Sequence, residues 1–281
     1  MSIELCVLAS GSAGNCTVVR SPAGVFLIDC GIGPRTAAAR LDGTGVLVSD
    51  IEAICLTHLD RDHFNPSWIG TLVRNEIRVF CANDHIPSLL RLSGDEGFAG
   101  LVRPFDGASF EPLAEVSIST LRLAHDQKGS HAFFMEGFGT RVGFATDLGN
   151  VPASLIERFC GVDLLAIESN YDPEMQMNSA RPWFLKERIM GGSGHLSNAQ
   201  ALGAVRAVLD RCEKRGKRLP QSVVLLHRSR QCNCPKLVRE LFSRDLRLAE
   251  RIILTEQYQR TSWIGACRGA LVGEQLAWAW S

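Results

Sequence analysis

The sequence predicts a layered α/β protein, and three observations carry that reading. Short apolar runs of strand length, rich in Val, Ile and Phe, recur in two strand-rich segments. Helical stretches lie between them, as in proteins that stack helices on sheets. The chain has 281 residues, 46% hydrophobic and 21% charged, enough to bury a substantial core and unlike the composition of a disordered chain.

The strand-like runs begin with Glu4–Ala9, Val25–Ile28, Ala53–Leu56 and Ile77–Cys81. They continue with Val116–Leu123, Ala132–Met135, Val142–Ala145, Leu164–Ile167, Val223–Leu226 and Ile252–Leu254. Residues 132–146 read as a hairpin turning at Gly137-Phe138-Gly139. The clearest helix spans 198–215: Ser197 and Gln200 form a capping box, and Leu202, Val205, Val208, Leu209 and Cys212 recur on one face. Gly216 can stop it. Arg211, Lys214, Arg215, Lys217 and Arg218 suit the negative pole of its dipole, and a phosphate-backbone contact is the sharper reading of the same run. The apolar Leu276–Trp280 reads as a last packed strand or a contact in a homodimer. No repeat, low-complexity tract or linker divides the chain, so one domain over 1–281 is expected.

Lys+Arg and Asp+Glu both number 30, which excludes a strongly basic nucleic-acid binder over the whole chain but not a local basic patch. No window approaches the roughly 20 apolar residues of a membrane helix, so no membrane partner is expected. MSIELCVLAS lacks a basic stretch followed by a long apolar one, and a cytoplasmic protein is expected. Ten cysteines are scattered along the chain; in a reducing compartment most should be buried thiols. Cys232 and Cys234 form a lone CxC, a weak zinc signal.

The seven histidines are more informative. His58, His125 and His227 each follow an apolar run, which places them at the carboxyl edge of a sheet, where α/β sites collect. The densest cluster is Thr57-His58-Leu59-Asp60-Arg61-Asp62-His63, with four potential ligands in six residues. Imidazole and carboxylate together suit Zn, Mn or Fe. A polar surface turn is the plain alternative, and it leaves the position after a strand unexplained. Asp147 ends Gly143–Thr146 and is a turn-former, or a bridging carboxylate beside that cluster. Asp29 ends Phe26–Ile28 and can accept a hydrogen bond that fixes a ligand tautomer. His85 and His131 match no motif, and His131, at the start of the next strand, rivals His125.

At this point HLDRDH resembles the HxHxDH motif of the metallo-β-lactamase fold, with Asp60 in place of the second His. LIDCG before it and His125, Asp147 and His227 after it keep the family order. Finer features are similar to the YycJ-type (WalJ-like) branch: Leu8–Asn15, His125-Asp126, Glu168–Asp172, Pro182-Trp183 with Leu185, Lys186 and Arg188, and Gly194–Asn198. The resemblance implies an αββα four-layer sandwich with two divalent metal ions. It implies that His58, Asp60 and His125 hold one, that Asp62, His63 and His227 hold the other, and that Asp147 bridges. A carboxylate at position 60 hardens the site, so Zn meets more competition from Mn or Fe. The stretch Glu168–His195 also resembles ribonuclease Z, which implies that His195, supported by Glu168, assists departure of the leaving group; a histidine simply packed at a helix cap is the bland alternative.

These implications describe a metal-dependent hydrolase, a phosphodiesterase or nuclease. Asp62 would orient the attacking water, and His195 would donate a proton to the departing oxygen. Lys186, Arg188, Arg228 and Arg230 flank the motifs and are candidates for phosphate contacts. The Ser10–Asn15 loop, with Ser12 and Asn15, either offers N–H groups to an anion or is a tight turn. The β-CASP nucleases of the superfamily carry an inserted domain that this chain has no room for. Two other readings stand beside nucleic acid as the partner: hydrolysis of a small phosphodiester such as a cyclic nucleotide, and a di-iron redox protein on the same sandwich.

Overall fold

A computed structural model of the chain describes residues 2–107 and 109–266. Its strands are β1 (Glu4–Ala9), β2 (Cys16–Ser21), β3 (Gly24–Ile28), β4 (Ile51–Cys55), β5 (Arg78–Ala82), β6 (Val102–Phe105) and β7 (Phe110–Leu113). Then come β8 (Val116–Leu123), β9 (Ser130–Gly137), β10 (Thr140–Ala145), β11 (Leu164–Glu168), β12 (Ser222–Leu226), β13 (Ile252–Leu254) and β14 (Ile264–Gly265). The helices are α1 (Pro34–Leu41), α2 (Ile69–Arg74), α3 (Ile86–Arg91), α4 (Glu96–Ala99), α5 (Ala153–Phe159), α6 (Pro173–Asn178), α7 (Trp183–Met190), α8 (Asn198–Lys214) and α9 (Pro235–Phe242).

The strands form two mixed sheets, ordered β14-β1-β2-β3-β4-β5-β6 and β13-β12-β11-β10-β9-β8-β7. Leu5, Phe26, Ile28, Phe133, Phe144 and Leu226 belong to the core between the sheets. Ala37, Leu72, Leu89 and Phe98 carry α1–α4 onto the outer face of the first sheet. Leu155, Val205, Val238 and Phe242 carry α5, α8 and α9 onto the outer face of the second. The result is the four-layer αββα order. It also explains the unbroken apolar runs: in β1, Leu5 and Val7 enter the inner core while Cys6 and Leu8 enter an outer one.

The β9–β10 hairpin pairs Gly137 with Thr140 across Phe138 and Gly139, whose φ values of +51° and +69° match a type I′ turn. α8 begins with the capping box: Ser197 Oγ accepts from the Gln200 N–H at 3.2 Å, and Gln200 Oε1 accepts from the Ser197 N–H at 2.9 Å. The basic run at its end is partly paired within the chain, because Arg211 and Arg215 lie 2.5 and 2.6 Å from Glu157. Strands β2, β6, β7 and β14 have no counterpart in the predicted runs. β6 contains Arg103 and Pro104 and lies at a sheet edge, where proline is tolerated. β2 directly follows a Gly/Ser-rich loop, which masks its start. The Leu276–Trp280 segment and Cys267 lie outside the described residues. Among the described residues no helix is long and apolar enough to cross a membrane.

Strand direction positions the site. β3 and β4 are parallel, β10, β11 and β12 are parallel, and β8 runs with β10 because β9 reverses between them. Asp29, Thr57–His63, His125, Asp147, Glu168 and His227 therefore collect at carboxyl ends of strands, along one rim of the sandwich.

Candidate metal centre

The rim is built from sharply turned chain. Asp29, Asp147 and His227 adopt left-handed backbone with φ of +57°, +50° and +52°. Such positions cost about 1 kcal/mol or more in a non-glycine residue and must be held by their surroundings. The Asp29 N–H donates to the Cys55 carbonyl at 3.1 Å, and the His227 N–H donates to Ser10 Oγ at 2.7 Å. Three loops interlock beneath: Asn15 N–H donates to the Asp62 carbonyl, Gly31 N–H to that of Asn15, and Cys30 N–H to that of His63. A Cβ at Gly31 would lie 1.7 Å from the Asp62 carbonyl oxygen, so only glycine permits this approach.

The interlock gathers donor atoms lying within 4.8 Å of one another in overlapping sets. One set is His58, Asp60 and His125, and another is Asp62, His63 and His227. Asp147 joins His58 and His63 in a third, and Glu168, His195 and His227 in a fourth. His58 Nε2 and Asp147 Oδ1 are buried without a hydrogen bond, although Asp147 Oδ1 lies 2.7 Å from His227 Nδ1. Buried donors left in this way fit a divalent cation.

Neighbouring groups settle which ring nitrogen each histidine presents. A carboxylate can only accept, so His63 Nδ1–H donates to Asp29 Oδ2 at 2.7 Å. The Thr57 hydroxyl donates to Asp29 Oδ2 at 2.8 Å and therefore accepts from His58 Nδ1–H at 3.0 Å. His125 Nδ1–H donates to the Gly194 carbonyl at 2.9 Å. All three rings thus turn Nε2 towards the cluster. Thr57, the first residue of the His/Asp run, contacts two of them, His58 and His63.

Glu168 is fully buried at the end of β11. Its Oε1 accepts from His195 Nδ1 at 2.7 Å, and its Oε2 accepts from the Leu148 and Leu196 N–H groups, each at 3.1 Å. Burial opposes a charge on His195, but Glu168 and Asp147 outweigh it and lift its pKa to about 9. Burial would likewise raise Asp147; His227 and His63 reverse this and hold it well below the usual carboxylate range. The imidazoles beside it, with His125 Nε2 3.8 Å from its Oδ2, hold Asp60 down to about 2.

A cleft of 390 Å³ opens over the cluster, reached by Asp60, Asp62, His125, Asp147, His195 and His227. Ser12 and Arg188 also line it, Arg188 pairing with Asp126. The other expected substrate contacts are placed elsewhere. Asn15 is buried, its Nδ2 lying 2.9 Å from His63 Nε2 and 3.4 Å from Asp62 Oδ2, because the interlocked loops draw it inward. Lys186 Nζ donates to the Met177 carbonyl at 2.6 Å. Arg228 packs towards Glu256 at 3.9 Å, and Arg230 lies over the Tyr258 ring. In the Ser10–Asn15 loop the Ser10, Gly11, Ala13, Gly14 and Asn15 N–H groups all bond within the protein.

Arg181 and Asn170 line the cleft and carried no assigned role in the sequence. Asn170 donates to the His227 carbonyl at 2.8 Å. Arg181 lies just before the Pro182-Trp183 motif, the one local signal that pointed to it. His131 stands apart from the cluster, its ring edge-on to Phe105 at 5.3 Å, and so does not compete with His125 for that place. Cys232 and Cys234 join none of the donor sets among the described residues.

The family model for the beta-lactamase superfamily domain matches residues 25–227. The exodeoxyribonuclease YycJ of Bacillus anthracis is 25% identical over 214 residues, 74% of this chain and 78% of that one. The exodeoxyribonuclease WalJ of Streptococcus pneumoniae is 26% identical over 235 residues, 82% of this chain and 83% of that one. Among solved structures, the metallo-β-lactamase fold protein YhfI of Bacillus subtilis superposes with a TM-score of 0.68 at 13% identity, covering 93% of this chain and 99% of its own.

Proposed function

Because the chain belongs to the β-lactamase superfamily, we propose that it is a metal-dependent phosphodiesterase that hydrolyses nucleic acid. The observation that carries this reading is the Glu168–His195 pair set beside the His/Asp cluster and opening onto the cleft. An alkoxide leaving group needs a proton, and this pair holds one where bond cleavage would need it. The names of the two exodeoxyribonuclease relatives support DNA as the first polymer to test.

His58, Asp60 and His125 would hold one divalent cation, Asp62, His63 and His227 a second, and Asp147 would touch both. Such ions, when bound, lower the pKa of water and neutralise charge on phosphoryl oxygens. The carboxylate at Asp60 leaves room for Mn or Fe beside Zn. In the reaction, water forms a new P–O bond as the bond to the departing oxygen breaks, and the proton the water loses returns through solvent in the cleft to re-protonate His195. Asp62 reaches the cleft and orients the water through a hydrogen bond. His195 Nε2–H gives its proton to the departing oxygen while Glu168 holds Nδ1. Asp29 and Thr57 keep the His63 and His58 rings in register throughout.

The test pairs elemental analysis of protein purified without chelator with hydrolysis of end-labelled DNA, RNA and bis(p-nitrophenyl) phosphate, with Zn or Mn added. About two metals per chain and metal-dependent cutting of a polymer are expected. Turnover of small diesters alone would move the substrate to a cyclic-nucleotide-type compound. Bound iron with visible absorbance and no hydrolysis would overturn the hydrolytic reading.

A further inference from the structure

Helix α7 carries two large aromatic side chains that remain open to solvent: Trp183 is 64% exposed and Phe184 72%. Leu185, Arg188 and Ile189 of the same helix line the cleft. Phe184 stands one turn ahead of Arg188 and so shares its face. The chain entering the helix brings Arg181 to the cleft wall, where its guanidinium meets only neutral oxygens: Gln176 Oε1 at 3.1 Å, Gln231 Oε1 at 3.2 Å and Ser229 Oγ at 3.4 Å. Among the described residues, Arg181 has no acidic partner. Exposed aromatics beside an uncompensated cation, continuous with the cleft, complement a strand that is apolar on its base faces and anionic on its backbone.

We infer that Trp183 and Phe184 form a base-stacking platform at the mouth of the cleft for an unpaired nucleic-acid strand, one of whose phosphates meets Arg181. The inference rests on the phosphodiesterase reading and adds how the polymer is gripped without an inserted domain. Stacking tolerates any base, because every base has a π face, so the platform confers preference for unpaired strand rather than for sequence. Arg181, tethered by three neutral groups, keeps its charge available for a phosphate.

The experiment is fluorescence anisotropy with a fluorescein-labelled, phosphorothioate-linked deoxythymidine oligonucleotide, which reports binding without cleavage. Trp183→Ala and Phe184→Ala should each weaken binding about fivefold or more. Trp183→Phe and Phe184→Tyr should restore it, because each keeps an aromatic face. All four variants should hydrolyse bis(p-nitrophenyl) phosphate at the wild-type rate. Arg181→Gln should reduce the salt dependence of oligonucleotide binding by about one ion. Unchanged oligonucleotide affinity in the alanine variants overturns the platform, as does an equal loss on the small diester. So does a wild-type dimer that the alanine variants dissociate, since the patch would then face a second copy. A wild-type protein that cleaves the small diester but binds no oligonucleotide overturns the platform and leaves the phosphodiesterase standing. One that binds the oligonucleotide through these aromatics yet hydrolyses nothing keeps the platform and overturns the phosphodiesterase.

Discussion

Glu168 Oε1 accepts a hydrogen bond from His195 Nδ1 at 2.7 Å, and the other Glu168 oxygen is held by the backbone N–H groups of Leu148 and Leu196. The carboxylate is thus anchored from behind by two backbone segments and turns its front oxygen to His195 and, at 3.2 Å, to His227 Nδ1. That leaves His195 Nε2 as the atom facing the cleft.

If His195 supplies a proton to the departing oxygen, His195→Ala lowers turnover of DNA or RNA by about 10²- to 10⁴-fold. The same variant loses much less on bis(p-nitrophenyl) phosphate, whose leaving group needs no proton. Steady-state rates on the two substrates, measured side by side, decide the matter. Equal losses on both would assign His195 to binding or packing.

Metal content separates the cluster from its neighbours. Asp147→Asn removes the carboxylate that two of the four donor sets contain and should leave less than one metal per chain. His131→Ala should keep the wild-type content, because His131 packs on Phe105 outside those sets. Elemental analysis after gel filtration reads both, and a His131 variant stripped of metal would contradict the ligand assignment.

Asp29 touches His63 rather than the proposed metal, and it is buried. Asp29→Asn should weaken metal binding about 10- to 100-fold, with the circular dichroism spectrum retained. Competition with a chromogenic chelator measures this. Thr57→Val, which removes the hydroxyl between Asp29, His58 and His63, should act in the same direction.

Away from the site, Asp245 ties the turn before β13 to Arg206 of α8 and to Arg247, which itself reaches Asp210 and Glu213. The hydrogen bonds from Arg247 hold Asp245 down to about 2, below its ordinary 3.8. A carboxylate depressed in the folded state contributes stability above 3.8 and loses it as pH falls towards about 2. Asp245→Asn should therefore cost about 1 kcal/mol at neutral pH, with the gap to wild type narrowing through that acid window. Urea unfolding at a series of pH values follows the gap, and a constant difference down to the acid end would refute the ion-pair account.

Much of the fold was legible because buried strands announce themselves. β8 and β13 have the predicted boundaries, and the Ser197–Gln200 box opens α8 where expected. The edge strands β6 and β14 were not legible: β6 carries Arg103 and Pro104, and β14 is two residues long. The charged contacts were the least legible part of the site. Lys186, Arg188, Arg228 and Arg230 all lie near motifs in sequence, yet Arg188 is the one of these four that lines the cleft, beside the unanticipated Arg181. A long flexible side chain takes its place from local partners that sequence distance does not specify.

The sequence by itself determined the layered architecture and the His/Asp run after β4, because strand period and residue spacing are local properties of the chain. Only the tertiary structure decided that His125 rather than His131 meets His58, that Asn15 turns inward onto His63, and that Arg181 reaches the cleft. Those outcomes depend on which strand ends share a rim and which loops interlock beneath them. Both follow from sheet order and from the close approach that Gly31 permits, and neither is encoded in the spacing of the residues that carry the chemistry.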